Sequence, residues 1–412
     1  MAQASQCLTG GVLVNAITVR YRLAYTTPYT QTEHFNLVSG SKKMSGIYIH
    51  IPFCKSKCPY CDFYSYRCKG EEMSLYVDSL INEINTLERV SDFVKSPLKA
   101  DTLYLGGGTP SVLSGEELYK IITTAREKFS ISHNAEITIE CNPNSDIESI
   151  LPYLIKAGVN RISLGLQSAV DKERKVLGRQ SDKNRVREVI ELLKSNGITN
   201  TSLDVMLGIP FQTEESLKET LDFVIESGVP HISAYMLKIE EGTHFYKSYD
   251  KYDFPDDEKT IEFYNQCADA LEDAGFIHYE ISNFAKDGFH SKHNTKYWEL
   301  ENYLGIGPGA HSYIDGKRFY FESDTESFIN GEKAVFDDLG GDAEEYIMLK
   351  LRLKKGISLS ELQNLYGEKP LIKIKEKAPF LKEQGLIDFD GERIALTRKG
   401  YLLSNSVICE LI

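Results

Sequence analysis

The stretch Gly46-Ile47-Tyr48-Ile49-His50-Ile51-Pro52-Phe53-Cys54-Lys55-Ser56-Lys57-Cys58-Pro59-Tyr60-Cys61-Asp62-Phe63 decides how the rest of the chain is read. Its opening, Gly46 to Ile51, is short, apolar and β-branched, the character of a buried strand. Cys54, Cys58 and Cys61 follow at Cys-x3-Cys-x2-Cys spacing. The chain has eight cysteines, and three of them crowd into residues 54–61. Such crowding, in a sequence without an export signal, points to a metal site rather than to disulfides. Three thiolates on one loop can each take one iron of a cubane cluster. Ferredoxin-type clusters use four cysteines, so three leave one iron with an open position. The alternative is zinc. A structural zinc takes four ligands, and the nearest further candidates are His50 and Cys68; neither falls on the usual Cys-x2-Cys pairing. Cys7, Cys68, Cys141, Cys267 and Cys409 read as unligated thiols.

From Met44 onward, strand and helix patterns alternate. Strand-like runs fall at 46–51, 102–105, 136–140, 160–165, 202–207 and 231–236. Helical patterns fall at about 72–89, 115–128, 146–157, 183–196 and 214–227, with a longer one at 256–275. Alternation of this kind predicts an α/β fold with a parallel sheet and outer helices. Six units are too few for a closed eight-stranded barrel. The expectation is a partial (β/α)6 barrel over residues 44–285, with functional residues at the C-terminal strand ends. A C-terminal domain spans 286–412. Residues 342–412 read as three helices, a hairpin at 386–396 and a final helix, an α+β, winged-helix-like order. That segment holds 12 Lys/Arg against 11 Asp/Glu, which favours packing on the barrel over reading DNA.

The bulk numbers exclude several classes. The formal net charge of −13 argues against a nucleic-acid or anionic-membrane binder, which needs a basic face. No apolar run is long enough to span a bilayer. The first 20 residues lack the basic start and apolar core of a secretory signal, so a cytoplasmic location is expected. Residues 1–43 are rich in Thr, Ser and Gln and read as a poorly ordered extension.

The cysteine motif at the end of a first strand, opening an α/β repeat, resembles the radical S-adenosylmethionine (SAM) superfamily. Within it, residues 44–410 resemble the oxygen-independent coproporphyrinogen III oxidases and their relatives, the HemW heme chaperones. The resemblance implies a [4Fe–4S] cluster on Cys54, Cys58 and Cys61. SAM would chelate the open iron, and one electron would cleave its sulfonium bond. Gly106-Gly107-Gly108-Thr109-Pro110 matches the loop that contacts the SAM amino group. Glu140, Gln167, Arg179 and Asp204 match SAM-lining positions, as do Tyr48 and Tyr60 beside the cluster loop. A guanidinium suits the SAM carboxylate; carboxylates and an amide suit its ribose hydroxyls and amino group.

Two marks bear on which branch is resembled. The oxidases carry a fourth cysteine two residues after the third, where this chain has Phe63. His293-Asn294-Thr295-Lys296-Tyr297-Trp298 matches the His-Asn-x-x-Tyr-Trp element of the chaperones, which is linked to heme. Its histidine would ligate heme iron or shape the heme site, with His290 and His311 as further imidazoles. The resemblance thus implies a protein that binds heme and hands it to acceptor proteins, with relatives that can dimerise. A porphyrinogen oxidase and a radical SAM enzyme with another substrate remain the alternatives, and no catalytic residue is assigned.

Overall fold

Six strands lie side by side in chain order, all parallel: β1 (Ser45–Ile51), β2 (Ala100–Gly107), β3 (Glu136–Cys141), β4 (Arg161–Gln167), β5 (Asn200–Leu207) and β6 (His231–Met236). The computed structural model describes residues 44–412 apart from 69 and 96, so the extension 1–43 lies outside the described residues. Helices Glu71–Thr86, Gly115–Lys128, Ile147–Ala157, Lys183–Ser195, Glu214–Glu226 and Asp257–Asp273 follow the successive strands. This is the α/β arrangement expected from the alternation.

The period-2 alternation of each strand explains where the core sits. On β4, Ile162, Leu164 and Leu166 join the main hydrophobic core, as do Ile47, Ile49 and Ile51 of β1. Apolar helix positions such as Leu80, Ile84, Leu118 and Ile121 belong to the same core. The alternate set of β4 is Arg161, Ser163, Gly165 and Gln167, and all four line an internal cavity. Closed (β/α)8 barrels fill that space with branched apolar layers. Here the inward set is polar, and a lumen remains.

The sheet continues beyond the six strands. At one end β6 pairs antiparallel with β8 (Asn283–Ala285), which pairs with β7 (Ile277–Glu280). At the other end β9 (Tyr303–Ile306) runs parallel to β1. Then β10 (His311–Ile314), β11 (Lys317–Tyr320) and β12 (Val335–Leu339) add antiparallel, giving 12 strands. A short helix, Lys292–Trp298, closes the barrel floor beneath the N-terminal strand ends. Glu136, the first residue of β3, accepts the N–H groups of Lys292 and His293 at 3.1 and 2.9 Å. A carboxylate there satisfies orphan donors of the helix start.

Residues 343–411 build the helices, the hairpin of Ile387–Phe389 and Arg393–Leu396, and a third strand, Ile357–Ser358. They have their own core, including Leu362, Ile374, Leu381, Ile394 and Ile408. The expected final helix is split into Arg398–Leu402 and Ser404–Leu411. No helix of the described residues is long and apolar enough to cross a membrane.

Candidate cluster and cofactor site

The cysteine loop is pinned before any metal is considered. The Cys54 N–H donates to the Tyr66 carbonyl and the Tyr66 N–H to the Pro52 carbonyl, each at 2.9 Å, so both ends of the loop are held by one bridge. The Phe245 N–H donates to the Pro59 carbonyl at 2.9 Å. Inside the loop, the Lys57 ammonium donates to Ser65 Oγ at 3.0 Å and to the Phe63 carbonyl. Cys54, Cys58 and Cys61 are all free thiols, half-buried, and face one cavity at the C-terminal strand ends. Burial raises the Cys61 thiol pKa; Lys57 opposes this, while Cys58 and Cys54 add to it, so the three sulfurs share one electrostatic neighbourhood.

The zinc alternative loses both of its candidate fourth ligands. Burial holds His50 down to about 4, so its ring is neutral. The ring is occupied at both nitrogens, by the Tyr48 hydroxyl at 3.0 Å and the Tyr64 carbonyl at 2.9 Å. Cys68 points its thiol at the Glu72 carboxylate, 2.9 Å away. Among the described residues no three His, Cys, Asp or Glu side chains are grouped to hold a single ion. A cubane has a different requirement, one thiolate for each of three corners.

The glycine triplet is required by close approach. Gly107 has φ +105°, and a Cβ there would sit 2.4 Å from the His50 ring. A Cβ on Gly108 would sit 2.7 Å from the Phe53 carbonyl. The N–H groups of Gly108 and Thr109 donate to the Ile51 and Phe53 carbonyls at 2.8 Å, and Thr109 Oγ1 lies 3.4 Å from Cys54 Sγ. This loop therefore lies directly against the start of the cysteine loop.

Tyr60, Gly107, Gly108, Thr109, Glu140, Gln167, Arg179 and Asp204 line the same cavity as the cysteines. Tyr48 does not line it; its hydroxyl meets His50 Nδ1 at 3.0 Å, and His50 packs against the glycine loop at Gly107. Glu140 accepts from the Tyr104 hydroxyl at 2.8 Å and the Gly107 N–H at 3.3 Å, and burial pushes its carboxyl up to about 7. Asp204 accepts from the Ser163 hydroxyl at 3.3 Å and is pushed up to about 6 by burial. Gln167 sits at a bulge with φ +69°, a strained value for a residue with a side chain, and accepts from Tyr235 at 3.2 Å. Arg179 donates one Nη–H to the Tyr60 hydroxyl at 2.7 Å, while its buried Nε has no partner. An orphaned guanidinium edge, two half-buried carboxyls and a glycine cradle fit the carboxylate, amino and hydroxyl groups of SAM. Sequence reasoning missed Tyr104, Arg161, Ser163, Ser233 and Tyr235, which line the same cavity. The signal was present: each falls on the polar side of a strand alternation.

His293 lies elsewhere. It is 1% exposed on the floor helix, at the opposite end of the strands from the cysteines. Thr102 Oγ1 holds its Nδ1 at 2.8 Å, and the Tyr297 hydroxyl holds its Nε2 at 2.8 Å. Burial lowers its pKa to about 3. Trp298 packs with Leu349 and Leu353 of the C-terminal unit. Iron ligation through His293 would first require one of its two ring hydrogen bonds to break.

Residues 48–224 match the radical SAM superfamily and residues 342–403 the HemN C-terminal domain. Coproporphyrinogen III oxidase (HemN) from Escherichia coli, a radical SAM enzyme, shares the fold, with TM-score 0.76 over 92% of each chain at 22% identity. Barrel, cysteine loop and matched domains together are those of a radical SAM protein. The heme chaperone HemW of Lactococcus lactis is 33% identical over 89% of this chain and 97% of its own. That of Bacillus subtilis is 35% identical over 88% and 98%. The chain belongs to the HemW family.

One consequence concerns pH. A Glu140 carboxyl raised to about 7 takes up a proton as pH falls through that value, and with its charge it loses strength as a hydrogen-bond acceptor for an amino group. SAM affinity, measured calorimetrically on cluster-loaded protein, should therefore fall between about pH 8.5 and about pH 6. Glu140→Gln should bind about as weakly at every pH as the protonated wild type does near pH 6, and lose most of that dependence. A wild-type affinity that is flat over the range would detach Glu140 from the amino group.

Proposed function

We propose that this chain is a heme chaperone: it holds a [4Fe–4S] cluster on Cys54, Cys58 and Cys61, binds SAM beside it, and carries heme to acceptor proteins in the cytoplasm. When bound, the cluster supplies one electron to the SAM sulfonium. In this reading Arg179 fixes the SAM carboxylate, Glu140 its amino group, and Asp204 and Gln167 its ribose hydroxyls. The observation that carries the chaperone reading over the oxidase reading is Phe63. It lines the same cavity as Cys61, two residues further along the chain, at the position where the resembling oxidases have a further cysteine. The relatives named as heme chaperones, matched over almost nine-tenths of the chain, support the same choice. The testing experiment is an anaerobic heme titration of the purified protein, in which a saturable Soret change near one heme per chain is expected. Linear, unsaturable absorbance would refute the proposal.

The same titration reads the floor helix. His293→Ala removes a buried ring and strands the Thr102 and Tyr297 hydroxyls, a loss of about 2–4 kcal/mol of stability. Because both ring nitrogens are engaged within the protein, His293 is expected to shape the fold around the heme site. Heme affinity should fall together with the melting temperature, with the Soret position and the cluster absorption unchanged. A displaced Soret band would instead make His293 a ligand.

A further inference from the structure

Below Glu140 and Asp204 the cavity reaches Arg161, the first residue of β4. Its side chain is on the lumen side of the alternation and the residue is 2% exposed. Among the described residues its guanidinium makes no hydrogen bond and no ion pair, and its buried Nε is without a partner. Leaving a guanidinium buried and unpaired is costly. The group sits centrally: Glu140, Asp204 and Tyr104 feel its charge from the barrel wall, and His231 and His293 from the floor. Among the described residues none of these hydrogen-bonds or ion-pairs with it. Asn294, on the floor helix and 8% exposed, lines the same cavity. Both residues carry N–H donors, and a planar guanidinium fork matches a carboxylate bidentately.

We propose that the deep end of the lumen is a carboxylate-binding subsite, separate from the SAM positions, in which the Arg161 guanidinium takes the two oxygens and the Asn294 amide adds a donor. The carboxylate belongs either to a small free acid or to a propionate arm of heme. Only the second source rests on the chaperone reading, so failure of that reading leaves the first testable.

The test needs no mutation to begin. Cluster-loaded protein is titrated with propionate and with its neutral isostere propionamide, and melting temperature is read. Propionate should raise it saturably and propionamide should not. Arg161→Gln should abolish the propionate shift, and Arg161→Lys, which keeps the charge but not the fork, should weaken binding at least tenfold. A second arm compares heme with heme dimethyl ester. Tenfold tighter heme binding in wild type, lost in Arg161→Gln, assigns the carboxylate to heme; equal binding of heme and ester, with the propionate shift present, assigns it to a free acid. An equal shift from propionamide, or a propionate shift that survives in Arg161→Gln, overturns the subsite. So does the absence of any shift when heme and its ester also bind alike.

Discussion

Cys58→Ala is expected to leave reconstituted protein without its broad visible absorption and with most of its iron gone. The same result is expected for Cys54→Ala and Cys61→Ala. Each thiolate is assigned its own corner of the cubane, and with a fourth protein ligand already missing, two thiolates cannot hold it. The fold should survive, because the loop is closed by the Phe53–Tyr66 bridge and by Phe245 on Pro59 rather than by metal. Cys68→Ala is the control: its thiol is engaged with Glu72 and lies off the cavity, so cluster content should stay at the wild-type level. Iron analysis and visible spectra after anaerobic reconstitution decide this. Equal damage from Cys68→Ala would overturn the three-ligand site.

Arg179→Ala is expected to weaken SAM binding tenfold to a hundredfold while the cluster absorption stays. The lost interaction is a charge-assisted hydrogen bond in a buried site, about 1.5–3 kcal/mol, which converts to roughly that range of affinity. The geometry supports the assignment because Arg179 is tethered on one side only. Tyr60 takes one Nη–H, and the Nε edge is left over. Tyr60→Phe should accordingly cost less than Arg179→Ala, since the guanidinium remains. Calorimetric affinity unchanged in Arg179→Ala would remove this residue from the SAM site.

How far the sequence revealed this structure varied with element length. The six parallel strands run six to eight residues with apolar side chains at alternate positions, so they stood out from their surroundings. Strands β7 to β12 are three to five residues long and hold their places through pairing with the edges of the sheet. A run that short carries no readable period, and the extension of the sheet to twelve strands was not foreseen. The site divides in the same way. Cysteine spacing is a local signal and was readable. Glu140, Gln167, Arg179 and Asp204 were named by resemblance, because strand alternation can mark a lumen-facing position but not which polar side chain there meets a ligand. Arg161 was readable in principle from Arg-Ile-Ser-Leu-Gly-Leu-Gln, whose odd positions are all polar or glycine. The position of His293 depends on a helix docking beneath strands more than 150 residues earlier in the chain, and no local pattern encodes that contact.

The choice between chaperone and oxidase rests on Phe63 and on the family, so it is best tested by turnover. Cluster-loaded protein, active in SAM binding and shown to bind heme, is incubated anaerobically with coproporphyrinogen III, SAM and a low-potential reductant, and the products are separated chromatographically. No protoporphyrinogen IX above the no-enzyme control is expected. Sustained decarboxylation of the propionate arms over many turnovers would contradict the account and make this chain an oxidase.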